Sequence, residues 1–401
     1  MKPNSWLNFP GIFFLSISTC LVLSESLLAA PKVEIAQAKA VEDFFFEGTQ
    51  FYQQGRYEEA LLSFEKALAI KPDYHRAWNA HGVMLGELGR YDEAMTSFEK
   101  ALAIKPDDHR IWNARGGILA KSGRYEEAIT SFEKALEIKQ DFSEAWYNQG
   151  LILEKLEKYP EAVASFEKAL VIKPDDYNAW VHLGDGLYRI GKYLEAATSY
   201  EKALEIKPDL YKAWNGHGTT LGGLGRYSEA LASYEQALAI KPNLPLVLYN
   251  HGMALAELGR YEEAKASYRL ALRIKPDLYL AWYNLGNALL RLGNYSEAIA
   301  TYKEALEIKP DYYEAWDHLG VALQKLGKHT EALANHDKAL TIQPNYYLAW
   351  YNRGLVFAIS GNYDEAIASF NKALEIQPDY LPASHNLRVL LEKTGRSFTE
   401  K

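Results

Sequence analysis

Residues 281–311 read AWYNLGNALLRLGNYSEAIATYKEALEIKPD (Ala281–Asp311), and close variants of this string recur along most of the chain. The triplet Ile-Lys-Pro and its variants set the register: Pro72, Pro106, Gln140, Pro174, Pro208, Pro242, Pro276, Pro310, Pro344 and Pro378, each 34 residues from the last. With this residue at repeat position 32, ten uninterrupted units begin at Val41, His75, His109, Ser143, Tyr177, Tyr211, Pro245, Tyr279, Tyr313 and Tyr347, and together fill residues 41–380. A fixed period in this range marks a stack of identical supersecondary units.

Within the unit, position 8 is Gly and positions 20 and 27 are Ala in all ten copies. Position 4 is Trp except at Phe44 and Leu248, and positions 17 and 24 are aromatic except at His329 and His336. Positions 4, 8 and 11, then 17, 20, 24, 27 and 28, follow the spacing of two amphipathic helices. Gly at position 15 supplies the positive φ that ends the first helix, and Pro at position 32 stops the second. Acidic residues at 18 and 19 open the second helix and Lys at 26 and 31 closes it, in the sense that complements the macrodipole. Small residues at 8 and 20 let the two backbones approach, and the rings at 4, 17 and 24 are expected to fill the space between hairpins. The fourth unit breaks the pattern: Glu157 replaces the turn glycine and Pro160 sits at the next helix start. A glutamate at positive φ is strained, so a soft joint is expected there.

These positions resemble the tetratricopeptide repeat (TPR) consensus, and the resemblance extends over 340 of 401 residues. It implies an all-α, right-handed superhelical solenoid of ten helix-turn-helix hairpins whose inner wall is built from the first helices. Residues 381–395 continue the register as a capping helix, with Ser384 at the Trp position and Arg388 at the Gly position, and 396–401 form a tail.

Residues 1–40 read differently. An apolar run, Gly11–Leu23, follows Lys2 and is interrupted by Ser24-Glu25-Ser26. Thirteen residues do not cross a bilayer but suit the apolar region of a secretory signal, with cleavage expected near Ala38 or Ala40. An uncleaved anchor over residues 11–30 and a lipoprotein signal at Cys20 remain as rival readings. In each, the repeats lie outside the cytoplasm or at its membrane boundary. Cys20 is the single cysteine, which removes disulfides and thiolate chemistry from the repeats.

The net charge of −8 argues against nucleic acid, which demands a basic face. No phosphate loop, zinc-protease motif or nucleophile elbow occurs, and the 40 residues before the repeats and 21 after them are too few for a catalytic domain. The reading is therefore of a non-enzyme with no cofactor, no metal and no small-molecule substrate. His329 and His336, with Glu331, offer the strongest ligand-type grouping, although histidines replacing core aromatics are ordinarily packed and hydrogen-bonded.

In the family that the chain resembles, positions 2, 5, 6, 9, 12 and 13 line the concave wall. From the seventh unit on, these positions turn apolar and aromatic. The seventh unit supplies Leu246, Tyr249, Asn250 and Met253, the eighth Leu280, Tyr283, Asn284 and Asn287, and the tenth Leu348, Tyr351, Asn352 and Leu355. The ninth interrupts them with Glu314, Asp317 and Gln324. Tyr249, Tyr283 and Tyr351 are expected to be free for a partner, and the Asn amides to bond its backbone. A carboxylate clamp of the chaperone-binding kind is not met, because Asn287, the one Asn at position 9, has Tyr283, His318 and Leu348 as neighbours. The expected function is a monomeric scaffold that binds extended or helical protein segments with apolar side chains. A solenoid that self-associates end to end and a regulatory subunit of an enzyme on another chain are the alternatives.

Overall fold

The computed structural model describes residues 32–395, so the expected signal or anchor at 11–30 lies outside the described residues. Every element among the described residues is an α-helix. The chain divides into two compact units at Lys207/Pro208. The first unit holds five hairpins: α1 (Lys32–Gln53) with α2 (Tyr57–Ile70), α3 (His75–Glu87) with α4 (Tyr91–Ile104), α5 (His109–Lys121) with α6 (Tyr125–Ile138), α7 (Ser143–Lys155) with α8 (Tyr159–Ile172), and α9 (Tyr177–Arg189) with α10 (Tyr193–Ile206). The second holds α11 (Tyr211–Gly223) with α12 (Tyr227–Ile240), α13 (Pro245–Glu257) with α14 (Tyr261–Ile274), α15 (Tyr279–Arg291) with α16 (Tyr295–Ile308), α17 (Tyr313–Lys325) with α18 (His329–Ile342), and α19 (Tyr347–Ile359) with α20 (Tyr363–Ile376), followed by α21 (Leu381–Thr394). From α3 onward each first helix begins at repeat position 1 and each second helix at position 17. Helix α1 begins nine residues ahead of its repeat boundary and runs through the expected cleavage positions Ala38 and Ala40.

The lock inside each hairpin is a ring against a glycine. A Cβ on Gly48 would lie 2.7 Å from the Phe64 ring, and one on Gly286 would lie 2.5 Å from Tyr302. The ring at position 24 therefore occupies the space left by the missing side chain at position 8, and Phe64, Phe98, Phe166 and Tyr302 are completely buried. This corrects the expectation that position 24 fills the gap between hairpins. Trp at position 4 also has a different job. Each indole Nε1 donates to the carbonyl of the residue six places earlier, as in Trp78 to Pro72 at 2.8 Å and Trp282 to Pro276 at 2.8 Å, which ties each first helix to the turn preceding it. Three of the lysines at position 26 lie over the same ring, with Lys100 Nζ 4.2 Å from the Trp78 centroid, Lys168 from Trp146 at 4.0 Å and Lys338 from Trp316 at 5.2 Å. Lys at position 31 is the C-cap residue, one step past the last helical turn, and Lys309 covers Tyr279. Where they cover a ring, these lysines add cation–π packing to the charge they bring to the helix C-terminus.

Turn chemistry follows the sequence. Nine Gly at position 15, from Gly55 to Gly361, take φ between 73° and 84°, and Glu157 adopts φ 59° in their place. Its turn makes the same bonds as theirs, Glu157 N to Glu154 O at 3.0 Å and Lys158 N to Leu153 O at 2.9 Å. The turn geometry is thus imposed by the packing of α7 against α8, and the glutamate is held in a conformation that costs an L-residue about 1–2 kcal/mol. Gly395, with φ 69°, ends α21. Arg388 is accommodated at position 8 of α21 because no second helix among the described residues brings a ring against it.

Glu157→Gly is expected to stabilise the first unit by about 1 kcal/mol, read as slower hydrogen exchange in α7 and α8. Gly191→Ala, which has open space around its Cβ but φ 79°, should cost a similar amount. Unchanged exchange in both variants would remove backbone strain from the account.

Candidate binding surface

The first helices of the second unit carry the wall residues singled out from the sequence. Their exposure sorts them into two sets. Leu246 (59%), Met253 (39%) and Leu280 (38%) stand exposed, whereas Tyr249, Tyr283, Tyr351, Leu348 and Leu355 are half-buried. The three tyrosines rest on the locking rings: Tyr249 on Tyr268 with centroids 6.0 Å apart, Tyr283 on Tyr302 at 6.0 Å, and Tyr351 on Phe370 at 5.8 Å. Burial raises the Tyr249 phenol above its ordinary pKa and pushes Tyr283 up to about 12.

The asparagines at position 6 bond to the protein itself, which corrects the expectation that their amides await a partner's backbone. Each donates to the position-5 side chain of the preceding hairpin, 35 residues earlier. Asn284 Nδ2 reaches Tyr249 Oη at 3.0 Å, Asn352 Nδ2 reaches Asp317 Oδ2 at 2.9 Å, Asn386 Nδ2 reaches Tyr351 Oη at 3.2 Å, and Asn250 Nδ2 reaches Asn215 Oδ1 at 3.4 Å. Among the described residues the first unit has one such rung, Asn148 to Asn113 at 3.1 Å. Where Ala114 takes the donor's place, the Oδ1 of Asn79 is buried without a partner. Asn287 joins the ladder from position 9. It donates to Asn284 (3.3 Å) and accepts from Tyr302 Oη (2.8 Å) and His318 Nδ1 (2.6 Å). Burial holds the His318 pKa below the ordinary imidazole value, consistent with a neutral ring.

Position 24 follows the same logic. A tyrosine hydroxyl there faces position 9 of its own hairpin, giving Tyr200 to Asp185 and Tyr234 to Thr219 as well as Tyr302 to Asn287. His336 instead donates from Nδ1 to Asp317 Oδ1 at 2.7 Å, both side chains being buried to within 1%, while its Nε2 is buried without a partner. Glu331 pairs with Lys328 at 3.1 Å, so His329, His336 and Glu331 do not form the grouping considered from the sequence. The ligand-type side chains that do converge are Glu154, His182 and Asp185, whose ligand atoms lie within 4.8 Å of one another. Sequence reasoning passed over them because Glu154 belongs to the fourth repeat and the other two to the fifth.

Tyr249→Phe removes the acceptor of the Asn284 amide and leaves the ring stack in place. It should destabilise the junction of α13 and α15 by about 1–2 kcal/mol, seen as faster hydrogen exchange in those helices but not in α19. Equal exchange in mutant and wild type would show that the rung carries no stability.

Comparison with known proteins accords with this architecture. A model described as Tetratricopeptide repeat matches residues 47–109, 85–141, 114–177, 147–211 and 249–313, more than half the chain, and related repeat models match 223–259, 313–346 and 347–380. No curated protein matches. Among solved structures, a tetratricopeptide repeat protein from Parabacteroides merdae is 20% identical with a TM-score of 0.50, over 63% of this chain and 99% of its own, a likeness of fold alone. YrrB, described as a TPR protein with an unusual peptide-binding site, is 27% identical over 48% of this chain and 99% of its own, with a TM-score of 0.42. PilF of Pseudomonas aeruginosa is 23% identical over 55% of this chain and 99% of its own, with a TM-score of 0.48. The ring-and-glycine hairpins and the repeat models that match more than half of the residues make this chain a member of the tetratricopeptide repeat family.

Proposed function

We propose that this chain is a non-catalytic, monomeric scaffold whose second unit binds extended or helical segments with apolar side chains. Tetratricopeptide repeats serve generally as protein-interaction scaffolds, and the matching models are all of this repeat. The observation that carries the finer reading is the exposure of Leu246, Met253 and Leu280 on α13 and α15. They sit beside tyrosines whose rings are fixed from behind, so the apolar edge is offered by a rigid support and little side-chain entropy is lost on binding. The polar ladder then sets the shape of the surface, and a partner meets apolar side chains with no change in those internal bonds.

The export-type reading of residues 1–40 supports a place for the scaffold in the cell envelope, tethered or released after processing. Among the described residues no helix is long and apolar enough to cross a membrane, and a tether would reside in residues 11–30. The reading gives the chain a role in assembly or recruitment of envelope proteins.

A peptide array probed with the wild-type chain and with a Leu246→Ser/Met253→Ser/Leu280→Ser variant tests the surface. The wild type should select peptides rich in apolar residues, and the variant should bind them at least about tenfold more weakly, about what burying a single such side chain contributes, with its helicity and melting preserved. Equal binding by both chains would move recognition off α13 and α15.

A further inference from the structure

We propose that Glu154, His182 and Asp185 form a binding site for a divalent transition-metal ion of the zinc class, which would cross-link α7 to α9 on the wall of the first unit. His182 and Asp185 stand at i and i+3 on α9 and so share a face, and Glu154 faces them from α7. The ligand atoms of the three lie within 4.8 Å of one another, and the His182 ring meets Glu154 Oε2 through Nδ1 at 2.9 Å. One imidazole with two carboxylates matches the donor preferences of Zn²⁺, Co²⁺ and Mn²⁺ better than the all-oxygen cages of Ca²⁺ and Mg²⁺.

Three observations besides the distances support the assignment. Two of the three ligands are held by neighbours outside the cluster: Tyr200 Oη donates to one oxygen of Asp185 and leaves the other for an ion, while His182 is stacked on Phe166 at 5.5 Å and edge-on to Tyr147 at 5.8 Å. Two carboxylates share one imidazole, and among the described residues no lysine or arginine pairs directly with either, Arg189 acting on Asp185 only from beyond ion-pair distance. The residue types also coincide once only. At positions 12, 6 and 9 the neighbouring junction in the same unit holds Ala120, Asn148 and Leu151, and in the second unit the junction that repeats a histidine holds Leu290, His318 and Val321. These wall positions vary from repeat to repeat, and only this junction places three ligand-type side chains at them together.

The test uses the full chain, stripped with a chelator and titrated with Zn²⁺ by calorimetry, with Co²⁺ absorption reporting the donor set and Mg²⁺ as the hard-cation control. The expected result is one saturable Zn²⁺, a melting temperature that rises with Zn²⁺ by mass action, and no response to Mg²⁺. His182→Gln, Glu154→Gln and Asp185→Asn should each weaken binding by more than about tenfold, and Tyr200→Phe, which only positions Asp185, by about tenfold. Circular dichroism of each variant checks its fold, and Glu154 and His182, which are partly exposed, decide the matter if Asp185→Asn fails to fold. No saturable binding, binding retained by folded His182→Gln or Glu154→Gln, or an equal response to Mg²⁺ would overturn the site.

Discussion

Everything in these hairpins depends on one close contact, the ring at position 24 lying on the glycine at position 8. A side chain at position 8 would put its Cβ 2.5–3.1 Å from ring atoms, closer than any packed core permits. The contact sets the distance between first and second helix, and Ala60, Ala94 and their equivalents at position 20 are completely buried as a consequence. With that distance fixed, the turn between the helices has one geometry, which nine glycines adopt freely and Glu157 adopts under strain. Arg388 in α21 supports the same logic from the other side, since among the described residues no second helix brings a ring against that position and glycine is not required there.

The first-helix wall then divides by position. Positions 5 and 6 are spent on the protein itself, through rungs such as Asn284 to Tyr249 and Asn352 to Asp317. A buried amide without its partner costs more than the bond contributes, so these rungs hold neighbouring hairpins in register and their loss is felt locally. Positions 2 and 9 are released from that duty at Leu246, Met253 and Leu280, and apolar side chains stand exposed there. A ligand surface made this way needs no separate scaffold, because the internal ladder that stacks the hairpins also presents the binding face.

The sequence made the hairpins legible: two helices per repeat, turns at Gly55 through Gly361, the strained Glu157 and the capping α21 all follow from local rules of periodicity and backbone sterics, while the early start of α1 at Lys32 did not. What it hid were contacts between residues that the period separates. Trp78 reads as a core aromatic, and only the fold reveals that its indole is tied to Pro72 O. Asn284 reads as an amide awaiting a ligand until Tyr249, 35 residues away, is seen to take it. A signal for the rungs was present, since Asn at position 6 follows a polar or tyrosine side chain at position 5 of the preceding repeat in each bonded pair. The Glu154, His182 and Asp185 cluster was hidden for the same reason, divided between two repeats that were read one at a time.

The central claim is that the exposed apolar residues of α13 and α15 take the partner while the ladder behind them stays intact. The chain has four methionines, of which Met84 and Met95 are buried in the first unit and Met253 stands on the proposed surface, so methyl-labelled methionine gives a direct reading. Titration of the labelled full chain with an apolar peptide should shift the Met253 resonance and leave Met84 and Met95 where they are. A Met253 signal that stays fixed while the peptide binds would contradict the account.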